Sequence, residues 1–228
     1  MHVKSCRPSF LDCIVLMGWG FVIVALITSS FRKMKSVTPS EMDHHQQHPK
    51  LVTWPKVVLF GDSLTQYSMN PNHGWATILA HSLQRRCDVI VRGFSGYNTV
   101  YARHLLPRIA NTFDDPVAAV VILLGTNDAA DAVQNVRLHV PLEGYRKNLA
   151  WMVKFMQDKG VSREKIILMS PPAADVKKRQ TEAYARVCEE VAHGANISSI
   201  NLCKLMQDKF KNKNTSARKT KHAIGIYS

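Results

Sequence analysis

The chain has 228 residues, which is enough for one domain of ordinary size and an appendage. Its 46% apolar share and its mean hydropathy of -0.13 exclude a disordered polymer. The net charge of +13 lies mainly at the two ends: residues 1–35 carry five Lys/Arg and one acid, residues 204–228 carry seven and one, and the intervening body has 18 bases against 15 acids. A near-neutral body makes nucleic acid an unexpected partner, although the basic tail leaves phosphate contacts open.

An N-terminal segment, residues 1–35, contains an apolar run from Cys13 to Ile27. With its flanks, the run approaches the length of a membrane-spanning helix, so we expect residues 10–30 to contact a membrane. Arg32, Lys33 and Lys35 follow directly, and the positive-inside rule then leaves the main domain facing the cytosol. A cleaved signal peptide, which would make the domain secreted or lumenal, and a buried core helix are the alternatives.

The cysteines are odd in number and scattered, without a CxxC pair or metal-ligand spacing: Cys6, Cys13, Cys87, Cys188 and Cys203. This pattern indicates reduced thiols and favours a cytosol-facing domain. Residues 36–54 are polar and contain proline, which predicts a linker, and the histidines within it are expected to be solvated. Neither a metal nor a cofactor is expected.

The main domain, residues 55–203, alternates short apolar runs with helical patterns, and residues 204–228 form a basic, atypical tail. Helices are predicted at about 74–86, 97–113, 141–159 and 174–193. Unalternating apolar runs of this kind are typical of parallel strands covered on both faces, and the order predicts a doubly wound α/β sheet. The predicted strands are Val57–Phe60, Val89–Val91, Ala118–Leu124, Lys165–Met169 and Ile197–Leu202.

Three sharp turns follow directly on the first three predicted strands and contain Ser63, Gly96 and Asn127. If those strands are parallel, their carboxyl ends share one edge of the sheet and the three turns meet there. A hydroxyl, a backbone N–H at a glycine and a carboxamide suit acyl transfer. Ser63 would attack a carbonyl carbon, and the N–H groups of Ser63 and Gly96 with the Asn127 amide would face the developing oxyanion. Asp62 is expected to brace its turn.

Each turn also has a purely structural interpretation. Asp62-Ser63 can cap a helix after a tight turn, Gly96 can be a turn residue with positive φ, and Asn127-Asp128 can form an Asx-type cap. The order and placement of all three together favour the catalytic interpretation.

Gly61-Asp62-Ser63-Leu64 resembles the first sequence block of SGNH (GDSL) hydrolases, Gly96 in Phe94-Ser95-Gly96 the second, and Gly125-Thr126-Asn127-Asp128 the third. The longer stretches 59–66, 74–75, 92–99 and 205–208 resemble the isoamyl acetate-hydrolysing esterases within that family. The resemblance covers about residues 55–208. It implies a flavodoxin-like three-layer α/β/α fold with a parallel sheet, no metal, and hydrolysis of small carboxylic esters. Ser63 would be the nucleophile, with Ser63, Gly96 and Asn127 as the oxyanion hole and Asp62 and Asp128 in support.

The family's last block, Asp-x-x-His, supplies the general base and its orienting acid, and no Asp-x-x-His occurs in this sequence. After Asp208 the residues turn basic, and His222 has Lys219 three positions before it. A serine without a base is a poor nucleophile at neutral pH, so we expect severely impaired turnover. The tail is what an alternatively spliced, truncated or mispredicted C-terminus would look like.

Three hypotheses remain open at this stage. The first is an esterase-family domain that turns over weakly, and the second is a membrane-tethered binding protein that retains the pocket without catalysis. The third is a membrane-tethered adaptor or nucleic-acid binder that works through its basic ends, which predicts salt-sensitive polyanion binding lost on removal of residues 204–228.

Overall fold

Five parallel strands form one sheet in the order β2-β1-β3-β4-β5. The structure, a computed structural model, describes residues 53–71, 74–111, 116–173 and 180–209. Strand β2 lies on one side of β1, and β3 lies on the other side. The direction in which strands are added to the sheet therefore reverses beside β1, which is the flavodoxin-like arrangement. The strands are β1 (Lys56–Gly61), β2 (Asp88–Gly93), β3 (Val117–Leu123), β4 (Ile166–Met169) and β5 (Ser198–Ile200).

Helices connect the strands and cover both faces of the sheet. Short 3-10 turns follow α1 at Tyr67–Met69 and precede β4 at Arg163–Lys165. The α-helices are α1 (Ser63–Gln66), α2 (Trp75–Ser82), α3 (Thr99–Ala110), α4 (Leu142–Asp158), α5 (Thr181–Gly194) and α6 (202–209).

Two apolar cores sandwich the sheet, because successive residues of a strand point to opposite faces. Val57 and Leu59 of β1 pack on one side with Leu79 of α2 and Met206 of α6. Val58 and Phe60 pack on the other side with residues of α3, α4 and α5, including Leu106, Leu149 and Tyr184. Burial of both faces explains why the strands are continuous apolar runs, and the predicted three-layer α/β/α fold is confirmed.

Some predicted element bounds differ from the structure. Helix α2 ends at Ser82 instead of residue 86, since the chain turns there and Arg85 adopts a positive φ of 61°. The last strand stops at Ile200, and Leu202 begins α6 instead of ending the strand. Met206 of α6 is 1% exposed, so ordered packing continues beyond residue 203.

The described residues can be compared with the expectations for a membrane helix, a metal site and the cysteines. None of the described helices combines the length and apolar character needed to span a bilayer, and the predicted anchor, residues 10–30, lies outside the described ranges. Within those ranges, no group of three or more His, Cys, Asp or Glu converges as metal ligands. The described cysteines Cys87, Cys188 and Cys203 are free and buried, and burial raises the pKa of each thiol.

Candidate active site

Strand register brings the three predicted turns to one edge of the sheet. Gly61 at the end of β1 pairs with Gly93 at the end of β2 and with Leu123 at the end of β3. Since all three strands are parallel, the segments with Ser63, Gly96 and Asn127 leave from this edge. The strand order reverses here, and open α/β sheets bind ligands in the crevice at such a point.

The turn that carries Ser63 is fixed by the residue before it. The Leu64 N–H donates to Asp62 Oδ1 at 2.9 Å, and the Gln66 N–H donates to the Asp62 carbonyl at 2.9 Å. Asp62 is fully buried, whereas Ser63, the first residue of α1, is half-buried. The capping interaction expected of an aspartate at a helix start is therefore present beside a half-buried serine.

Two glycines allow α1 to lie directly on the strand ends. A β-carbon on Gly93 would lie 1.9 Å from the backbone nitrogen of Gln66, and one on Gly61 would lie 2.2 Å from Thr65 Oγ1. Any side chain at Gly93 would displace the backbone of α1, and one at Gly61 would collide with Thr65 and with the Leu123 carbonyl of β3. The helical turn that begins at Ser63 is thus packed against the end of β2.

The second segment presents Gly96 in an open position. Gly96 has a φ of +79°, and a β-carbon there would meet no atom within 4 Å. The residues on either side are held: the Ser95 N–H donates to Gln66 Oε1 at 2.7 Å, and the Tyr97 N–H donates to the Phe94 carbonyl at 3.2 Å. The positive φ is therefore the reason for a glycine at this position. Lack of space is not the reason, since an added β-carbon would meet no atom.

The third segment reaches across to the second through Asn127. The Asn127 side-chain amide donates one hydrogen bond of 2.8 Å to the carbonyl of Tyr97. Asn127 is 8% exposed, so this bond is mostly shielded from water. A carboxamide nitrogen carries two hydrogens. The bond to Tyr97 uses one of them and orients the group, so the second N–H points to an acceptor other than Tyr97.

Asp128 holds the start of α3. Its carboxylate accepts the Thr99 N–H at 3.0 Å and the Thr99 hydroxyl at 2.5 Å, and the Asn148 amide donates to that hydroxyl at 3.1 Å. Asp128 is fully buried, and desolvation raises its pKa to about 6 in spite of these hydrogen bonds. The nearby His139 lowers the pKa of Asp128 by a smaller amount.

The structure therefore places Ser63, Gly96 and Asn127 on adjoining connections at one edge and joins the second and third directly. Their catalytic roles stay predictions. Sequence reasoning missed the contributions of Gln66 and Thr99. Asn98-Thr99 before a helical pattern is a recognisable capping signal, and Asn98 does accept the Tyr101 N–H at 3.1 Å. The Gln66 contact spans 29 positions, and no local pattern reveals it.

The described histidines do not reproduce the expected base. His81, His104 and His193 lie on helices, whereas His139 lies in the connection after β3, at the site edge of the sheet. The His139 Nδ1 is 2.9 Å from the carbonyl oxygen of Ala130, so it donates there when it carries the proton. His222 lies outside the described residues.

The sequence is similar to a family of lipases and acylhydrolases and to esterases from animals and plants. The model of the GDSL-like lipase/acylhydrolase family matches residues 59–221. An isoamyl acetate-hydrolyzing esterase 1 homolog from Rattus norvegicus is 39% identical over 173 residues, which cover 68% of this chain and 69% of that protein. A GDSL esterase/lipase from Arabidopsis thaliana is 34% identical over 177 residues, which cover 68% and 72%.

Solved structures show the same fold. A lipase/acylhydrolase from Enterococcus faecalis superposes with a TM-score of 0.53 at 26% identity, over 67% of this chain and 78% of that one. An acetylxylan esterase from Geobacillus stearothermophilus superposes with a TM-score of 0.57 at 20% identity, over 69% and 80%.

Proposed function

Because the chain belongs to the GDSL-like lipase/acylhydrolase family, and is by that membership a carboxylic ester hydrolase, we propose that it hydrolyses small acetate-type esters through an acyl-enzyme on Ser63. The observation that carries the proposal is the meeting of the Ser63, Gly96 and Asn127 segments at one sheet edge. Esterase relatives, including the isoamyl acetate-hydrolyzing homologs, support the choice of substrate class.

The reaction has two steps. The Ser63 oxygen attacks the ester carbonyl carbon and loses its proton to a base, and the alcohol leaves with a proton when the tetrahedral intermediate collapses. Water then attacks the acyl-serine, which releases the carboxylic acid and restores the Ser63 hydroxyl. In both steps the carbonyl oxygen becomes an oxyanion. The Ser63 and Gly96 N–H groups and the second Asn127 N–H are its proposed donors.

Donors of this kind are effective when they are held in place before the reaction. Asn127 is oriented by the Tyr97 carbonyl, and the N–H of Ser95, the residue before Gly96, is bound by Gln66. In an enzyme of this chemistry, removal of one donor raises the barrier by about 3–4 kcal/mol.

Attack by Ser63 requires a general base to accept its proton. The sequence has no Asp-x-x-His, so we propose that turnover is impaired. A template serine hydrolase that lacks a triad member still retains about 10³–10⁴-fold catalysis over water, through the oxyanion hole and substrate binding. Residual turnover of that kind is expected here.

Exposed apolar side chains lie on the segments that leave the site edge of the sheet, and such side chains suit the hydrocarbon parts of an ester. Within the described residues, every exposed large hydrophobic lies in a segment that immediately follows β1, β2 or β3. We call this set the apolar rim, and we propose that it contacts the acyl or alcohol group. Its members are Tyr67, Met69, Val100, Tyr101, Val133, Val136 and Leu142.

The proposal is tested with the full chain by fluorophosphonate labelling and by p-nitrophenyl acetate turnover, beside Ser63→Ala and the control Ser162→Ala. Ser162 is exposed before β4, away from the site edge. Labelling and turnover that vanish in Ser63→Ala and persist in the control support an esterase. If the folded chain shows neither labelling nor turnover above the Ser63→Ala background, the proposed esterase activity is wrong. That result would favour a binding protein with a retained pocket.

The pH dependence of labelling identifies whether a base assists Ser63. Unassisted attack requires deprotonation of the serine itself, so the rate would climb about tenfold per pH unit through pH 9. A histidine base would instead give a plateau above roughly pH 7. If a plateau is observed, His139→Gln and His222→Gln separate the two candidate histidines, since the variant that removes the plateau removes the base.

For cellular location we propose that residues 10–30 anchor the chain in a membrane with the domain in the cytosol. The support is the apolar run followed by Arg32, Lys33 and Lys35. Carbonate-resistant membrane association that is lost on deletion of residues 1–35 is the expected result. Asn196 begins an exposed Asn-Ile-Ser glycosylation pattern, so an endoglycosidase-sensitive shift that disappears in Asn196→Gln would place the domain in the lumen instead.

A further inference from the structure

The segment around Gly96 is held from both sides. The Gln66 side chain of α1 accepts the N–H of Ser95, the residue before Gly96, and the Asn127 amide donates to the carbonyl of Tyr97, the residue after Gly96. One contact comes from the segment after β1 and the other from the segment after β3. The N–H of Gly96 thus lies between two fixed points that belong to the two neighbouring connections.

Gln66 is suited to position this segment relative to the nucleophile. It is the last residue of α1, the helix that Ser63 begins, so its backbone moves with Ser63. Its backbone nitrogen lies directly over Gly93, at the end of β2, with no room for a β-carbon between them. The Ser95 N–H then donates to its side-chain oxygen at 2.7 Å. Backbone packing and a side-chain hydrogen bond therefore fix the same pair of segments together.

We propose that Gln66 is a positioning residue that holds the Gly96 N–H at the oxyanion site by binding the Ser95 amide. The inference rests on the proposed function and names a determinant of its rate. Because the group that Gln66 binds is the Ser95 N–H, Gln66 must present its side-chain oxygen. The property required at position 66 is therefore a hydrogen-bond acceptor. Its side chain is exposed, so the bond adds little to folding stability, since water competes for both partners.

Chemically matched variants separate the acceptor from size and helix propensity. Gln66→Glu keeps an acceptor oxygen at the same distance along the side chain, whereas Gln66→Met keeps the length and removes the acceptor. Gln157→Met makes the same change near the end of α4, at the opposite edge of the sheet. Each full-length variant is compared by kcat and KM for p-nitrophenyl acetate, by fluorophosphonate labelling rate, by Tm and by amide hydrogen exchange of residues 94–98.

We expect Gln66→Met to lower kcat and the labelling rate about tenfold, with KM changed less than about twofold, because the donor is loosened and not removed. Exchange of residues 94–98 should quicken in Gln66→Met, and the Tm should move by less than about 2 °C. Gln66→Glu should restore rate and protection to within about threefold of the parent, and Gln157→Met should match the parent.

A parent that reacts through Ser63 while Gln66→Met reacts equally fast would overturn this inference and leave the esterase proposal standing. Equal losses in Gln66→Glu and Gln66→Met would overturn it as well, since an acceptor would not be the requirement. Absence of any Ser63-dependent reaction in the parent would overturn the proposed function and the inference with it.

Discussion

The side chain of Asn127 donates a 2.8 Å hydrogen bond to the carbonyl of Tyr97, one residue beyond Gly96. The bond links the segment after β3 to the segment after β2, across the end of β1, the strand that precedes Ser63. It uses one N–H of the carboxamide and directs the other. Asn127 is therefore both a link between loops and a candidate donor, and its substitution should affect both properties.

Asn127→Asp keeps the shape of the side chain but replaces its donor with a carboxylate oxygen. We expect kcat for p-nitrophenyl acetate to fall about 10²–10³-fold, because an oxyanion donor is lost and a negative charge faces the developing oxyanion. Steady-state kinetics measure the loss. Asn135→Asp, an exposed change in the same connection, is the control. Unchanged kcat in Asn127→Asp would remove Asn127 from the oxyanion hole.

Gly93 and Gly96 should respond differently to the same substitution. Gly96→Ala meets no atom, so only its positive φ is strained, and we expect a loss of about 1 kcal/mol in the free energy of unfolding. Gly93→Ala drives a methyl group into the Gln66 backbone and should cost about 3 kcal/mol or more while displacing α1. Urea denaturation of both variants gives the comparison. Equal losses would contradict the packing of α1 on β2.

Stability should depend on pH through Asp128. The folded-state pKa of about 6 lies above the ordinary 3.8, so between about pH 4 and pH 6 the unfolded chain releases a proton that the folded chain retains. This carboxyl therefore makes folding less favourable as pH rises through that window, by up to about 3 kcal/mol.

Asp128→Asn removes this titration. The free energy of unfolding of Asp128→Asn, relative to the parent, should rise from pH 4 to pH 6.5 and stay level above it. Chemical denaturation at intervals of pH supplies the difference. Exposed groups such as Asp131 and Glu164, whose pKa values hydrogen bonds lower, titrate in both proteins and cancel. A difference that is flat with pH would show that burial does not raise the pKa of Asp128.

Tyr145 supports the strand end that precedes the third motif. Its buried hydroxyl donates to the carbonyl of Leu124 at 3.1 Å, next to Gly125. Tyr145→Phe leaves that carbonyl buried without this donor, so the free energy of unfolding should fall by about 1–2 kcal/mol. Tyr67→Phe, at a side chain that is 44% exposed, should change it by less than about 0.5 kcal/mol. Thermal and urea denaturation of both variants test the contrast, which equal effects would refute.

Local sequence pattern was enough to predict the layers of this protein. A strand buried on both faces must be apolar throughout, as Val57 to Phe60 are, and such a run followed by a helical pattern predicts a parallel crossover. The turn at Asp62 was equally readable, because an aspartate before a helix caps it through neighbouring atoms. Placement of Ser63, Gly96 and Asn127 at one edge then followed from parallel topology.

Long-range contacts were decided only by the tertiary structure. The Ser95 bond to Gln66, the Asn127 bond to Tyr97 and the Asp128 bonds to Thr99 each join residues about thirty positions apart, and residue type alone does not select such partners. The raised pKa of Asp128 likewise comes from desolvation in the folded core and not from its neighbours in sequence. By itself the sequence determined which groups reach the site edge, because strand periodicity and capping are local. Folding decided how they are held there, because the holding atoms come from separate connections.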